Sequence, residues 1–236
     1  MATRLYDVVV DAADPVELGR FWSALLAQPI TGESADEVDM TLCPGMGLVF
    51  VPVSDPKVVK NRLHLDLAST SAEHQAALVA RARELGAEPV DLGQGSVPWV
   101  VLADPEGNEF CVLEPRDEYL GLGPVAAVVV DALDPRAQAA FWSRATGLPV
   151  TREHAEYASL RQESGCWVEF VRVDEAKTVK NRVHLDVVPP ADGDLPTEVV
   201  RLEAQGAVRA DVGQGAVSWV VLADPEGNEF CVLTPR

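Results

Sequence analysis

A short segment with polar side chains at every second position is the part of the sequence best suited to chemistry. It contains Lys60, Arg62, His64 and Asp66, and leucines occupy the positions between the last three. Because side chains of a strand point alternately to its two faces, these four polar groups share one face. An imidazole that titrates near neutral pH can transfer a proton, and the two cations can bind an anionic group. The same pattern recurs over residues 180–186.

We predict a polar pocket around each copy of this strand, with His64 and His184 as the candidate catalytic residues. The candidate ligand-binding residues share the polar face or lie on the hairpin that should border it: Arg62, Asp66, Trp99, Cys111, Arg182, Asp186, Trp219 and Cys231. A pocket with a cationic end and an aromatic wall suits a small anionic or aromatic ligand. The alternative is structural, with Arg62 and Asp66 forming an ion pair around a hydrogen-bonded His64.

The hairpin is predicted from residues 104–108, which read Asp-Pro-Glu-Gly-Asn and have the residue types of a tight turn. Antiparallel partners run outward symmetrically from such a turn, which places Val101 across from Cys111 and Trp99 across from Leu113. These four side chains should therefore share one face. The opposite face is continuously apolar and is suited to packing against helices.

The strand and the hairpin both belong to an internal repeat. Residues 104–113 recur unchanged as residues 224–233, and the same offset of 120 residues relates the two polar strands. Self-similarity over this length indicates two copies of one domain. We predict domains at 1–118 and 119–236, joined by a short glycine-containing linker.

Each copy also contains a weaker half-length repeat, because both halves run from a strand through a helix to further strands. In the first half, Asp14 is the expected N-cap of a helix, with Pro15 at the first position and Glu17 closing a capping box. Apolar residues at helical spacing follow, and they include Trp22 and its counterpart Trp142. We predict that both tryptophans pack in the core rather than in a pocket.

Together these segments resemble the superfamily of glyoxalases, bleomycin-resistance proteins and ring-cleaving dioxygenases, also named the vicinal oxygen chelate superfamily. The shared features are a strand ending in Asp-x-x-Asp-Pro, a following Phe-Trp pair, the His-x-Asp strand, and the closing Asp-Pro-Glu-Gly-Asn-Glu-Phe. The resemblance covers both copies and is closest to the glyoxalase-like subgroup. It implies an α+β fold of four βαβββ modules, with mixed curved sheets that form open cups and helices outside them.

The resemblance also implies four metal-ligand positions per copy, but this sequence fills them with an unusual set of residues. In chain order they fall on Asp7, Val49, His64 and Cys111, and on Ala127, Glu169, His184 and Cys231. Hard oxygen and soft sulfur donors are mixed, unlike the His and Glu sets of metal-dependent relatives. We therefore predict no metal and no other cofactor. Exchange of modules between the copies, which could pair Asp7 with His184 or Glu169 with His64, stays open at this stage.

The composition excludes several classes of partner. A formal charge of −18 and a pI near 4.5 would repel phosphate backbones, so we expect no nucleic-acid partner. No apolar run approaches the roughly 20 residues that span a bilayer, and we expect no signal peptide because the first residues show no apolar h-region or small-residue cleavage site. The four cysteines form no CxxC pair, which favours reduced thiols. We expect a cytoplasmic monomer or homodimer.

Two functions from different classes are compatible with these observations. The first is metal-independent binding or sequestration of a small organic molecule in the cups, as bleomycin-resistance relatives sequester drugs. The second is a lyase, isomerase or epimerase in which His64 or His184 acts as general base, with or without a divalent metal. An enzyme should lose turnover but keep ligand binding when this histidine is replaced by glutamine, whereas a binding protein has no turnover to lose.

Overall fold

Four consecutive modules with the same order of elements build the structure. The computed structural model describes residues 3–161 and 164–236, and each module runs from a strand through a helix to three further strands. The predicted α+β fold of four βαβββ modules is confirmed. In the part of the chain described, no helix combines the length and the apolar character needed to cross a membrane.

The bounds of the elements follow module by module. Module 1 contains β1 (Arg4–Ala12), α1 (Pro15–Leu26), β2 (Ile30–Glu33), β3 (Val38–Cys43) and β4 (Met46–Pro52). Module 2 contains β5 (Leu63–Leu67), α2 (Ala72–Glu84), β6 (Glu88–Pro89), β7 (Val100–Ala103) and β8 (Glu109–Val112). A short 3₁₀ helix (Asp117–Tyr119) precedes module 3, which contains β9 (Val125–Ala132), α3 (Pro135–Thr146), β10 (Val150–Glu153), β11 (Tyr157–Leu160) and β12 (Trp167–Arg172). Module 4 contains β13 (Val183–Val188), α4 (Leu195–Ala204), β14 (Val208–Arg209), β15 (Val220–Ala223) and β16 (Glu229–Val232).

Each of the two sheets combines modules from different copies of the repeat. The first sheet has the order β14-β15-β16-β13-β1-β4-β3-β2, and the second has the order β10-β11-β12-β9-β5-β8-β7-β6. Modules 1 and 4 are joined by the antiparallel pair β1 and β13, and modules 2 and 3 by the antiparallel pair β5 and β9. The modules are therefore exchanged between the copies, which resolves the alternative that the sequence left open.

One face of each sheet is covered by the α-helices and forms the main core. Its fully buried side chains include phenylalanines from all four modules: Phe50, Phe110, Phe170 and Phe230. Trp22 and Trp142 are 4% and 2% exposed, and each lies edge-on to one of these phenylalanines at 5.1 Å between ring centres. Their predicted place in the core is confirmed. We call the face turned away from the α-helices cup 1 in the sheet of modules 1 and 4, and cup 2 in the sheet of modules 2 and 3.

The repeated hairpin turn is held by one buried carboxylate. Asp104 accepts hydrogen bonds from the backbone N–H groups of Glu106 and Asn108 at 3.0 and 2.9 Å, and from the Trp22 indole at 3.2 Å. The turn is thereby tied to helix α1. Within this hairpin Val101 pairs with Cys111, as predicted from the turn, and both belong to the apolar cluster of cup 2.

The start of α1 differs in one detail from the predicted capping box. Asp14 accepts the backbone N–H of Glu17 at 3.0 Å, as expected of an N-cap. The Glu17 carboxylate pairs with Arg20 instead, and the Asp14 N–H donates to Glu106 from the hairpin turn. Glu106, from a distant part of the sequence, replaces Glu17 as the acceptor because the hairpin turn lies directly beside the start of the helix.

A disulfide joins the two sheets and corrects the expectation of four reduced cysteines. Cys43 at the end of β3 is bonded to Cys166, which immediately precedes β12, and both residues are 6% exposed. Gly165 permits this approach, since it adopts a φ of +108° and a side chain there would meet the Pro44 carbonyl oxygen at 3.3 Å. The two cysteines are 123 residues apart in the sequence and belong to modules 1 and 3, which lie in different sheets.

Reduction of this disulfide should destabilise the protein. A crosslink across so long a loop restricts the unfolded chain, and its loss typically costs about 2–4 kcal/mol. We expect dithiothreitol to lower the free energy of unfolding of the wild-type protein by this amount in denaturant titrations. The C43S/C166S variant is the control, because its lower stability should not respond to the reductant. Equal stability of the oxidised and reduced wild type would contradict the expectation.

Candidate functional site

A histidine, an aspartate and a cysteine meet in cup 1. His184 and Asp186 lie on β13, and Cys231 on β16 is paired with Asp186 in the parallel register. The His184 Nε2 is 3.4 Å from the Asp186 carboxylate and 3.5 Å from the Cys231 sulfur. Burial and the neighbouring Asp186 carboxylate raise the pKa of the Cys231 thiol well above its usual range. The cysteine is therefore a neutral thiol, and the histidine is the member of the cluster suited to proton transfer.

Cup 2 contains the equivalent cluster of His64, Asp66 and Cys111. The His64 Nε2 is 3.4 Å from the Asp66 carboxylate, and the side chains of both histidines are 15% exposed. In each cup the donor atoms of the three residues lie within 4.8 Å of one another. The structure thus brings together the predicted histidines, aspartates and cysteines, and the two clusters are equally accessible.

Arg62 and Arg182 do not join these clusters, although the sequence placed them in the same pockets. The Arg62 guanidinium donates to the carbonyl oxygens of Glu175 and Asp131 at 2.5 and 3.0 Å, and it lies 3.8 Å from the Glu226 carboxylate. All three partners belong to the other repeat. The alternative ion pair between Arg62 and Asp66 is likewise not found among residues 3–161 and 164–236, because the arginine is bound elsewhere.

The predicted cationic end of the pocket is instead part of a cavity between the repeats. Arg62 and Arg182 line this cavity of about 800 Å³ together with residues of segments 53–62 and 173–182, and neither histidine lines it. Lys60, the other predicted cation, pairs with a carboxylate of the opposite repeat at 2.6 Å. Each arginine precedes its strand by one residue, where backbone carbonyl oxygens of the opposite repeat are the nearest acceptors.

The two predicted tryptophans have different surroundings. Trp99 packs against the apolar cluster of cup 2, and the Arg116 guanidinium lies 6.0 Å from the centre of one of its rings. Trp219, at the equivalent position beside cup 1, is 38% exposed. Equivalent residues of the repeat are therefore half-buried in cup 2 and exposed beside cup 1.

The cups differ most at one pair of neighbouring positions. In cup 1 Asp7 on β1 pairs with Gly47 on β4, and in cup 2 the equivalent positions on β9 and β12 hold Ala127 and Trp167. In cup 1 the larger residue lies on the first strand of the pair and glycine on the second. In cup 2 the small alanine lies on the first strand and tryptophan on the second. A side chain added at Gly47 would collide with the Asp7 carboxylate. We call the surroundings of these two residues the pair region of each cup.

Aromatic side chains fill the pair region of cup 2. Trp167 and Tyr119 are 6% and 4% exposed and belong to one apolar cluster with Cys111. The Arg152 guanidinium lies 3.9 Å from the centre of the Trp167 ring, and the Tyr119 hydroxyl donates to Glu169 at 3.4 Å. The protein's own side chains therefore occupy this space beside the histidine cluster.

Carboxylates line the pair region of cup 1. Asp7 lies opposite Asp186 in the antiparallel pairing of β1 and β13, and Asp39 on β3 also acts on Asp7 electrostatically. Burial, followed by the charges of Asp186 and Asp39, raises the pKa of Asp7 to about 7. Asp7, Gly47 and the neighbouring Tyr6 are only half-buried, whereas Ala127 and Trp167 at the equivalent positions of cup 2 are buried.

Sequence reasoning missed the residues that distinguish the cups. Gly47 and Trp167 are related by the same offset of 120 residues as Asp7 and Ala127. A comparison of the two copies position by position could therefore have found that Asp7 is replaced by Ala127 and Gly47 by Trp167. Tyr119 lies in the linker, outside the repeat, and no sequence pattern placed it in cup 2.

The residues of cup 1 do not fit the metal site that the resemblance implies. The three donors that lie together are His184, Asp186 and Cys231, a mixed set of nitrogen, oxygen and sulfur. Cysteine binds metals as a thiolate, and burial together with Asp186 raises the pKa of this thiol, so a metal ion would have to displace its proton. Val49 supplies no donor at its position, so the His and Glu set of metal-dependent relatives is not reproduced.

Comparisons with known proteins agree with this architecture. A family model described as a glyoxalase-like domain matches residues 7–113 and 127–233. Glyoxalase I from Zea mays has a TM-score of 0.66 at 14% identity, covering 99% of this chain and 92% of its own. A putative dioxygenase from Bacillus subtilis subsp. subtilis str. 168 has a TM-score of 0.66 at 11% identity, covering 100% of this chain and 86% of its own. No curated protein sequence matches the chain. As the resemblance predicted, the chain belongs to the glyoxalase-like domain family and contains that domain twice in tandem.

Proposed function

We propose that this protein binds a small organic molecule in cup 1 without a metal ion, and that its own side chains take the equivalent place in cup 2. The observation that carries the proposal is the difference between the cups at one residue pair. Cup 1 has Asp7 and Gly47 at the positions where cup 2 has Ala127 and Trp167. The positions beside the histidine cluster are half-buried in cup 1, whereas a buried aromatic ring takes the equivalent place in cup 2.

The lining of cup 1 supports the binding of an organic molecule. Val9 and Val49 lie on its floor at 6% and 7% exposure, outside the core cluster that packs against the helices. Tyr6 and Trp219 provide aromatic surface that is not fully buried. Pockets for small molecules combine such apolar walls with a few polar groups that orient the ligand, and the cluster around His184 provides those groups.

Proton transfer by His184 is the second candidate function. The contact between its Nε2 and the Asp186 carboxylate favours it, because a neighbouring carboxylate can orient an imidazole for proton transfer. In a lyase, isomerase or epimerase, the H184Q variant should lose turnover but keep ligand affinity. In a binding protein the same variant has no turnover to lose.

Transfer of the residue pair between the cups tests the proposal. The D7A/G47W variant gives cup 1 the pair found in cup 2, so a tryptophan should fill its pair region. We expect this variant to bind phenethylamine, a small aromatic probe, about tenfold or more weakly than the wild type in calorimetric titrations. The reverse variant A127D/W167G is the matched control and should retain wild-type affinity at cup 1.

Melting curves of both variants separate loss of the cup from loss of the fold. A folded D7A/G47W protein that binds phenethylamine as tightly as the wild type would exclude cup 1 as the binding site. A loss of binding confined to A127D/W167G would place the site in cup 2 and overturn the proposal.

Removal of metal should change neither stability nor binding. We expect EDTA to leave the melting temperature and the affinity for phenethylamine unchanged, because neither cup has the usual ligand quartet. The C231S variant, which lacks the sulfur donor, should also bind the probe with wild-type affinity. Elemental analysis that found one tightly bound metal ion per cup would contradict this prediction.

A further inference from the structure

Negative charge accumulates in the pair region of cup 1. Asp7 and Asp186 lie opposite each other on neighbouring strands, an arrangement in which like charges repel. Glu37 and Asp39 also act on Asp7, and Arg236 is the cation whose charge opposes theirs. Within residues 3–161 and 164–236, no lysine or arginine forms an ion pair with any of these four acids. The pair region is therefore rich in carboxylates without a lysine or arginine partner, although the His184 imidazole lies beside Asp186.

One of these carboxylates is buried with an unpaired oxygen. Asp186 is 8% exposed, and its Oδ1 receives no hydrogen bond from the described residues, although the His184 ring lies 3.4 Å away. Asp66 in cup 2 has an unpaired oxygen too. In cup 2, however, Arg152 lies 3.8 Å from the neighbouring Glu169 and offsets the negative charge of Glu169. A buried carboxylate oxygen without a donor is costly, and a ligand N–H group would satisfy it.

The spacing of the carboxylates favours an organic cation over a metal ion. Among the described residues, the groups whose donor atoms lie within 4.8 Å of one another include Asp186 but not Asp7, Glu37 or Asp39. A single ion could not bind these acids together. A larger cation could place its charge among them and its apolar part against Val9.

We infer, building on the proposed function, that the molecule bound in cup 1 is an organic cation. Its protonated amine lies beside Asp7 and Asp186, and its apolar or aromatic body lies against Val9 and Val49. This differs from the anionic ligand suggested by the arginines of the sequence pattern, because those arginines bind acceptors between the repeats.

Three probes with the same aromatic ring and different charges test the inference. Phenethylamine is cationic at neutral pH, phenethyl alcohol is neutral, and phenylacetate is anionic. We expect calorimetric titration of the full chain to show that the amine binds about tenfold more tightly than the alcohol, with the carboxylate weakest. The D186N variant should reduce the preference of amine over alcohol to less than about threefold, and D39N, which alters a less buried carboxylate, should reduce it partly.

The outcomes separate this inference from the function on which it rests. Equal binding of amine and alcohol, binding of neither, or preference for phenylacetate would overturn the inference of a cationic ligand. If the preferred probe still loses affinity in D7A/G47W, cup 1 remains the binding site and only the charge class is wrong. If the amine is preferred but D186N and D7A/G47W leave its affinity unchanged, it binds elsewhere and both the inference and the proposed function are wrong.

Discussion

Residues 1–118 and 119–236, produced as separate chains, should fail to fold as stable monomers. Each half contributes one module to each sheet, and the sheets are joined across the halves by the pairs β1–β13 and β5–β9. A separated half would expose two central strands that are buried in the whole chain. Since a domain has only about 5–15 kcal/mol of stability, the loss of both junctions should remove nearly all of it. We expect no cooperative unfolding transition for either half in denaturant.

Mixing provides the control for this experiment. An equimolar mixture of the halves should restore both sheets and a cooperative unfolding transition, because the pairs β1–β13 and β5–β9 can form again. A half that stays soluble alone should be a dimer, since a second copy can cover its open strand edges. Halves that were monomeric, soluble and as stable as the whole chain would show that the shared sheets contribute little.

Replacing Arg182 by methionine should lower the free energy of unfolding by about 2–4 kcal/mol while leaving phenethylamine binding unchanged. Its guanidinium donates to the carbonyl oxygens of Asp55 and Asp11 at 2.6 and 2.8 Å and pairs with Glu106 at 3.2 Å. The side chains of Arg182 and Glu106 are 11% and 15% exposed, so methionine would leave the Glu106 carboxylate without its cationic partner and would remove the donor to the Asp11 carbonyl oxygen. Denaturant unfolding and calorimetric titration of the same variant measure both quantities.

Two further arginine variants serve as controls for this substitution. R62M removes the equivalent contacts in the other repeat and should have a similar cost. R20M removes an ion pair in which the arginine side chain is 57% exposed, and it should cost less than about 1 kcal/mol. A loss of probe affinity in R182M without a loss of stability would contradict this expectation and indicate that Arg182 contacts the ligand.

The sequence predicted the elements well, because their signals are local. The turn at residues 104–108 needs only its own Asp, Pro and Gly, and the pairing of Val101 with Cys111 follows from counting outward from it. The core positions of Trp22 and Trp142 follow from helical spacing. The His-x-Asp strand likewise put a histidine and an aspartate on one face, as found in both cups.

The remaining features depend on contacts between distant segments. Nothing in the alternation of residues 60–66 shows that Arg62 lies just before the strand, within reach of carbonyl oxygens from the other repeat. The disulfide of Cys43 and Cys166 depends on how the two sheets lie against each other, because the two cysteines belong to modules in different sheets. Which modules share a sheet could not be predicted, because copies of one domain present nearly identical strand edges to one another.

A crystal structure of the full chain grown with phenethylamine would show which cup binds the ligand. We expect one molecule in the pair region of cup 1, with its ammonium group hydrogen-bonded to the Asp186 carboxylate, while Trp167 and Tyr119 occupy the same region of cup 2. A probe molecule in cup 2, or in the cavity lined by Arg62 and Arg182, with none in cup 1, would contradict this expectation.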